Sequence, residues 1–208
     1  MQPVNILYED AFLIAAFKPP FLLVHDDGNS QDTLQARING YLQLNGNKYP
    51  AQAIHRIDYE TSGLVLFCKH PFFQAYCDKN MEEHHIKKDY IALVQGHTNY
   101  KNKKIVSNIA RDRHNAKKMI IHPNGKESIS IFNTLKNYKD YSLIQVTILT
   151  GRKHQIRVQC ASLNHPILND SLYGGKRIDN TGLLLQSHHI QFNDIDITCP
   201  QEKRFIRK

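Results

Sequence analysis

The stretch Ala53-Ile54-His55-Arg56-Ile57-Asp58-Tyr59-Glu60-Thr61-Ser62-Gly63-Leu64-Val65-Leu66 sets a turn dense in His, Arg, Asp, Thr and Ser between two apolar runs. Two readings are open for it. As a structural element it joins two strands by an Asx or Ser/Thr turn, with Asp58 bonding backbone amides. As a site, Arg56 and Asp58 stand two residues apart and project to one side of an extended chain, so a guanidinium and a carboxylate meet at a strand end. A second polar group, Thr150-Gly151-Arg152-Lys153-His154-Gln155-Ile156-Arg157-Val158, falls at the start of a helix predicted over 154–163, with Ile156, Cys160 and Leu163 on its packing face. The positive end of a helix dipole prefers acidic residues, yet these first turns carry Arg152, Lys153, His154 and Arg157. The arrangement costs roughly some tenths of a kcal/mol per charge unless an anion sits there. A phosphate backbone or a carboxylate would supply it; a solvated basic surface is the other reading.

Other chemistries lack their residues. Neither a Gly-x-x-x-x-Gly-Lys-Ser/Thr loop nor a Gly-x-Gly-x-x-Gly turn is present, and the zinc deaminase signature is missing. The pairs His84-His85 and His188-His189 are sequence neighbours, which point different ways and suit no single ion, so no metal is expected. Cys68, Cys77, Cys160 and Cys199 form no Cys-x-x-Cys pair and are expected as buried thiols.

The 208 residues carry 27 Lys and Arg against 19 Asp and Glu, a formal net charge of +8. Such a balance favours a polyanionic partner, nucleic acid being the commonest, although it also serves solubility alone. No run approaches the ~18 apolar residues of a membrane span. The opening Met1-Gln2-Pro3-Val4-Asn5 lacks the basic-then-apolar pattern of a secretory signal. A soluble, cytoplasmic, monomeric protein with one domain over 1–208 is expected, without membrane association or a protein partner.

Short, often β-branched runs place the polar groups. Ile6–Tyr8 and Phe12–Phe17 predict an opening hairpin, Thr33–Leu44 and Phe72–Glu83 helices, and Gly63–Cys68, Asp89–Gln95 and Tyr141–Leu149 strands. Met119–Ile121 and Ser128–Phe132 flank Asn124-Gly125, a hairpin signal. The polar stretch 99–118 is expected to be the least ordered. Strands outnumber helices without regular alternation, which predicts an α+β fold on a largely antiparallel sheet flanked by helices and loops.

Taken together, these segments resemble the RluA-type family of RNA pseudouridine synthases. The family's His-Arg-Leu-Asp-x-x-Thr-Ser-Gly-Leu motif stands as His55-Arg56-Ile57-Asp58-Tyr59-Glu60-Thr61-Ser62-Gly63-Leu64, and its Gly-Arg-x-His-Gln-Ile-Arg motif is complete at Gly151 to Arg157. Between them Lys88-Asp89-Tyr90-Ile91-Ala92-Leu93-Val94 is similar to its Lys-x-Tyr-x-Ala-x-Val strand. Lys18-Pro19 resembles its opening motif, and His165-Pro166-Ile167-Leu168-Asn169-Asp170 with Leu172-Tyr173-Gly174-Gly175 its later loop. Three positions depart: Phe21 and Asn169 stand where the family usually has Gly, and Gln186 replaces a frequent His. Many relatives carry an N-terminal S4 domain; the pattern here begins by residue 5, so none is expected.

The resemblance implies the pseudouridine synthase catalytic fold and conversion of a uridine in RNA to pseudouridine, without cofactor or metal. The N1–C1′ bond breaks, the uracil turns, and C5 joins C1′. Glycosidases commonly use two carboxylates, one to activate or replace water; here water is excluded, and one essential carboxylate suffices. By resemblance it is Asp58, with Arg157 beside it and Tyr90 packing on the uracil and assisting removal of the C5 proton. RNA contacts are expected from His55, Arg56, Arg152, Lys153, His154, Arg111 and Lys117, with Arg56 entering the space of the extruded base. The expected partner is a structured tRNA or large-subunit rRNA stem-loop. A catalytically inactive RNA-binding module on the same scaffold is the alternative, and a metal-dependent nuclease using His55 and Asp58 a more distant one.

Overall fold

Leu13–Lys18 and Ser62–Cys68 are buried at almost every position, as strands covered on both faces are, rather than at alternate ones. A computed structural model of the protein, describing residues 3–28 and 30–206, shows that cover. In chain order the elements begin with β1 (Asn5–Glu9), β2 (Leu13–Lys18), α1 (Leu34–Leu44), β3 (Gln52–Ala53), β4 (Ser62–Cys68), α2 (Pro71–Glu82) and β5 (Lys87–Gln95). They continue with β6 (Lys103–Arg111), β7 (Met119–Ile121), β8 (Lys126–Asn137), β9 (Tyr141–Ile148), α3 (Gln155–Ser162), β10 (Leu185–Phe192) and β11 (Ile195–Thr198). Short 3-10 turns lie at Ser171–Tyr173 and Lys203–Phe205. The chain packs as two units, Met1–Ile86 with Ser187–Pro200, and Lys87–Gln186 with Gln201–Lys208.

The first unit orders its strands β1-β2-β4-β10, with β3 on β4 and β11 on β10. The pairs β1–β2, β2–β4, β3–β4 and β10–β11 are antiparallel. Ile14, Ala16, Val65 and Phe67 pack with Leu34, Ile38 and Leu42 of α1. Leu13, Ala15, Leu64 and Leu66 point the other way, into a core with Cys77, Ile190, Phe192 and Ile197. Thr33 caps α1 by accepting from the Ala36 amide at 3.1 Å, and Pro71 opens α2. Gly63 is required where β4 begins: its φ is +111°, and a Cβ there would lie 2.2 Å from the Ser187 carbonyl oxygen.

The second unit runs β5-β9-β8-β6-β7, antiparallel throughout. Val158 and Ala161 of α3 pack with Ile109 and Met119. The helix is otherwise bonded to the sheet through amides. Gln155 Nε2 donates to the Ile129 carbonyl and Ser130 Oγ, while Gln159 Oε1 accepts from Ser130 Oγ and its Nε2 donates to Ser107 Oγ. All four cysteines are free and buried, and burial together with neighbouring Cys68 pushes the Cys77 thiol up to about 12. Among the described residues no helix is long and apolar enough to cross a membrane.

The α+β class, the largely antiparallel sheet, the opening hairpin and the helices agree with the sequence expectations. Two local expectations are corrected. The stretch 99–118 is not the least ordered: its residues Lys103–Arg111 are β6, bonded to β8 along one edge and β7 along the other, with Ile109 buried. Pairing on both edges outweighs the polar composition. Nor do the strands flanking Asn124-Gly125 form a hairpin with each other, because β7 and β8 lie on opposite sides of β6. The turn steps over that strand: Gly125 donates to the His122 carbonyl at 2.8 Å, and a Cβ on it would meet the Asn108 and Ile109 backbone within 2.7 Å.

Gly63→Ala combines left-handed strain of about 1–3 kcal/mol with overpacking of about 1–3 kcal/mol. A urea titration should show the midpoint falling accordingly, with Gly46→Ala as the comparison, since nothing lies within 4 Å of a Cβ there.

Candidate active site

In the first unit the loop carrying His55, Arg56 and Asp58 is tied down at both ends. Ile54 donates its amide to the Leu66 carbonyl at 3.0 Å, and His55 Nε2 accepts from the Leu66 amide at 3.2 Å. His55 is buried, so it supports the loop from behind rather than offering the expected surface contact to RNA. The loop closes where the Asp58 carbonyl accepts from the Thr61 amide at 3.0 Å. A buried lysine fixes its tip. Lys18 is 0% exposed, and its Nζ donates to the carbonyls of Pro19, Leu22 and Tyr59 at 3.0, 2.7 and 3.1 Å. The Tyr59 carbonyl also accepts from the Phe21 amide at 2.8 Å. Asp58 thus sits, partly exposed, on a turn held by an ion. Arg56 is exposed, its Nη1 3.4 Å from His25 Nε2.

In the second unit Arg157 is 3% exposed, and its Nε and Nη2 donate to Asp170 Oδ2 and Oδ1, each at 2.8 Å. The anion that the helix start calls for is supplied, at this position, by a carboxylate thirteen residues further on. Tyr173 gathers the surrounding groups. Arg157 stacks on its ring with the guanidinium carbon 5.2 Å from the centroid, and Lys118 Nζ lies 5.5 Å over it. Its hydroxyl accepts from the Met119 amide at 2.8 Å and is 2.9 Å from Nδ1 of His154, the N-cap of α3. Tyr90, 6% exposed, lies on β5 opposite Val146. Lys88 shares its strand face, and burial lowers the ammonium to about 8. Asp89, on the other face, accepts from Thr147 Oγ1.

The basic candidates lie at the surface of this unit. Arg152 is half-buried with Nε donating to the Glu127 carbonyl at 3.0 Å, and Lys153 is exposed. Arg111 and Lys117 are exposed in a turn closed by the Asp112 amide on the Lys118 carbonyl at 3.0 Å. Lys118 and Met119 carry that turn onto Tyr173 beside His154 and Arg157. Sequence reasoning did not foresee Asp170 and Tyr173 in these roles, nor the burial of Lys18. The signal for Asp170 was available: a run of cations at a helix start asks for a carboxylate from elsewhere.

Residues 13–162 match the family described as RNA pseudouridylate synthase. An uncharacterized RNA pseudouridine synthase of Bacillus subtilis is 35% identical over 83% of this chain and 58% of its own length. The ribosomal large subunit pseudouridine synthase D of Borreliella burgdorferi is 32% identical over 98% of this chain and 64% of its own. The chain therefore spans less than two thirds of the length of these relatives. In fold it is similar to human RNA pseudouridylate synthase domain containing 1, with a TM-score of 0.79 and 22% identity over 99% of this chain and 88% of that one.

Two outcomes follow from the buried charges. Asp170→Asn removes the carboxylate charge to which the buried guanidinium donates twice and should cost about 3–5 kcal/mol in urea unfolding. Lys88 gives a pH dependence. Below about 8 both folded and unfolded chains hold its proton; from about 8 to the usual 10.5 only the unfolded chain does, so this group makes stability rise with pH across that window. Lys88→Met should remove that rise, read as the difference between the two proteins' unfolding midpoints from pH 7 to 10.

Proposed function

This chain belongs to the RNA pseudouridylate synthase family, in its RluA-type branch, and on that premise we propose that it isomerises a uridine of structured RNA to pseudouridine through Asp58. The observation that carries the reading is the Asp58 turn, a partly exposed carboxylate whose backbone is anchored by buried Lys18 and by His55. A carboxylate that must work on a sugar–base bond gains from such fixity, because reaction at C1′ or at the uracil tolerates little misplacement. The balance needs no cofactor: the N1–C1′ bond breaks, a C5–C1′ bond forms, the C5 proton leaves and N1 gains one.

Arg157 serves as the orienting cation, its plane held by Asp170 and the Tyr173 ring. Tyr90 offers a ring to the uracil and a hydroxyl to the departing proton. A uracil inside a stem or tight loop must leave its stack, at a cost of about a few kcal/mol. Exposed Arg56 is suited to fill the gap, since a planar guanidinium both stacks and bonds phosphate. Arg152, Lys153, Arg111 and Lys117 supply phosphate contacts. The substrate is a tRNA or large-subunit rRNA stem-loop; the Borreliella relative, a ribosomal large subunit pseudouridine synthase, makes rRNA the first to assay.

The test uses transcripts of both RNAs tritiated at uridine C5, since joining C5 to C1′ must release that label to water. Wild-type protein should release tritium with EDTA present, and Asp58→Asn should release none while binding RNA within a few-fold of wild type. Binding without release by the wild type would leave the RNA-binding module instead. Strand cleavage stopped by EDTA would mark a nuclease.

A further inference from the structure

Phe21 has φ +61°, in the left-handed region where a bulky side chain is strained, and its ring is 48% exposed. Tyr59, 50% exposed, meets it edge to face with centroids 5.9 Å apart. Both rings are fixed to the Asp58 turn by the main chain, through the Phe21 amide on the Tyr59 carbonyl and the Lys18 ammonium on that same oxygen. They border a cavity of about 430 Å³ whose walls include Pro20, Leu23, Ser30 and Arg37. That volume lies in the range of sites for small organic molecules. Its cation is committed, because Arg37 donates to both carboxylate oxygens of Asp32 at 2.7 Å. The wall also holds Asp32, and a site whose one arginine is neutralised by a carboxylate suits an uncharged ring better than a phosphate.

Resting on the function proposed above, we infer that Phe21 and Tyr59 form a stacking platform for a nucleobase flanking the target uridine. Tyr59 is next to Asp58 in the chain, so a base held there belongs to a neighbouring nucleotide. Stacking accepts any base face, and the platform therefore adds affinity and register rather than a strict sequence requirement.

The experiment measures Kd by fluorescence anisotropy on a labelled RNA stem-loop with a uridine-rich loop, at several salt concentrations. Phe21→Gly suits the left-handed backbone, so folding is preserved, which thermal unfolding checks. It should weaken binding roughly 5- to 150-fold, the range for one stacked base, with the slope of log K against log salt unchanged. Phe21→Tyr should restore affinity. Loop nucleotides made abasic one at a time should include a position where wild type loses this factor and Phe21→Gly loses nothing more. A Phe21→Gly affinity within about twofold of wild type, a flattened salt slope, or equal further loss at every abasic position would each overturn the platform. If the wild type shows the coupled stacking loss yet releases no tritium from transcripts, the platform stands and the proposed catalysis fails.

Discussion

An ammonium ion withdrawn completely from water governs the first unit. Burying a charge costs several kcal/mol, and the cost is reduced only as its donors find acceptors. Lys18 has three N–H bonds, and Pro19, Leu22 and Tyr59 present three carbonyls to them. Those acceptors come from two separate loops, so the ion joins the end of β2 to the turn before β4. The sheet reinforces the join, since Lys18 and Gly63 are register partners. Displacing the Asp58 turn would leave a buried cation short of an acceptor. The position of the turn that carries the candidate carboxylate is thus enforced in part by a desolvation penalty.

The second unit buries a charge as well, with a carboxylate as its acceptor. Arg157 is buried with Asp170, and the bidentate geometry fixes the guanidinium plane as well as its position. Tyr173 then offers the plane a ring face and ties the start of α3 to β7 through the Met119 amide. Around this, Gln155 and Gln159 spend their amides on the sheet. A network of satisfied buried polar groups specifies one register where interchangeable apolar contacts would allow several. The pairing must assemble as a whole, because half of it would be worse than an apolar core.

Much of this was legible in the sequence, for identifiable reasons. The runs Leu13–Phe17 and Leu64–Cys68 announce buried strands because an apolar side chain has one sensible place to go. The helical face of Leu34, Ile38 and Leu42 is equally plain. Asp58 drew attention because ionisable residues crowded between apolar runs need a reason. The rest depended on partners distant in the chain. Nothing local to Lys18 says that Tyr59 will accept from it, and nothing local to Arg157 names Asp170. β6 escaped notice because its order comes from β7 and β8, and the Asn-Gly turn misled because the strand between its arms lies earlier in the chain.

The two positions where glycine would be usual, Phe21 and Asn169, both lie at positive φ, at +61° and +68°. Glycine fits there without strain, so a side chain must return something for its cost. Asn169 returns it locally. Its Nδ2 donates to Asp179 Oδ1 and the Gly182 carbonyl, its Oδ1 accepts from the Ile178 amide, and the loop after Gly175 is pinned as a result. Asparagine is also the residue that tolerates this backbone best after glycine. Phenylalanine has no such tolerance and no polar atom to bond with. Its ring gains an edge contact to Tyr59 and leaves nearly half its surface in water. A contact of that kind is worth about 0.5–1.5 kcal/mol at best, against a strain of about 1–2 kcal/mol. Internal packing thus barely offsets the conformation, and an exposed aromatic ring bonded through its main chain to Tyr59 is what the stacking platform inferred above would use.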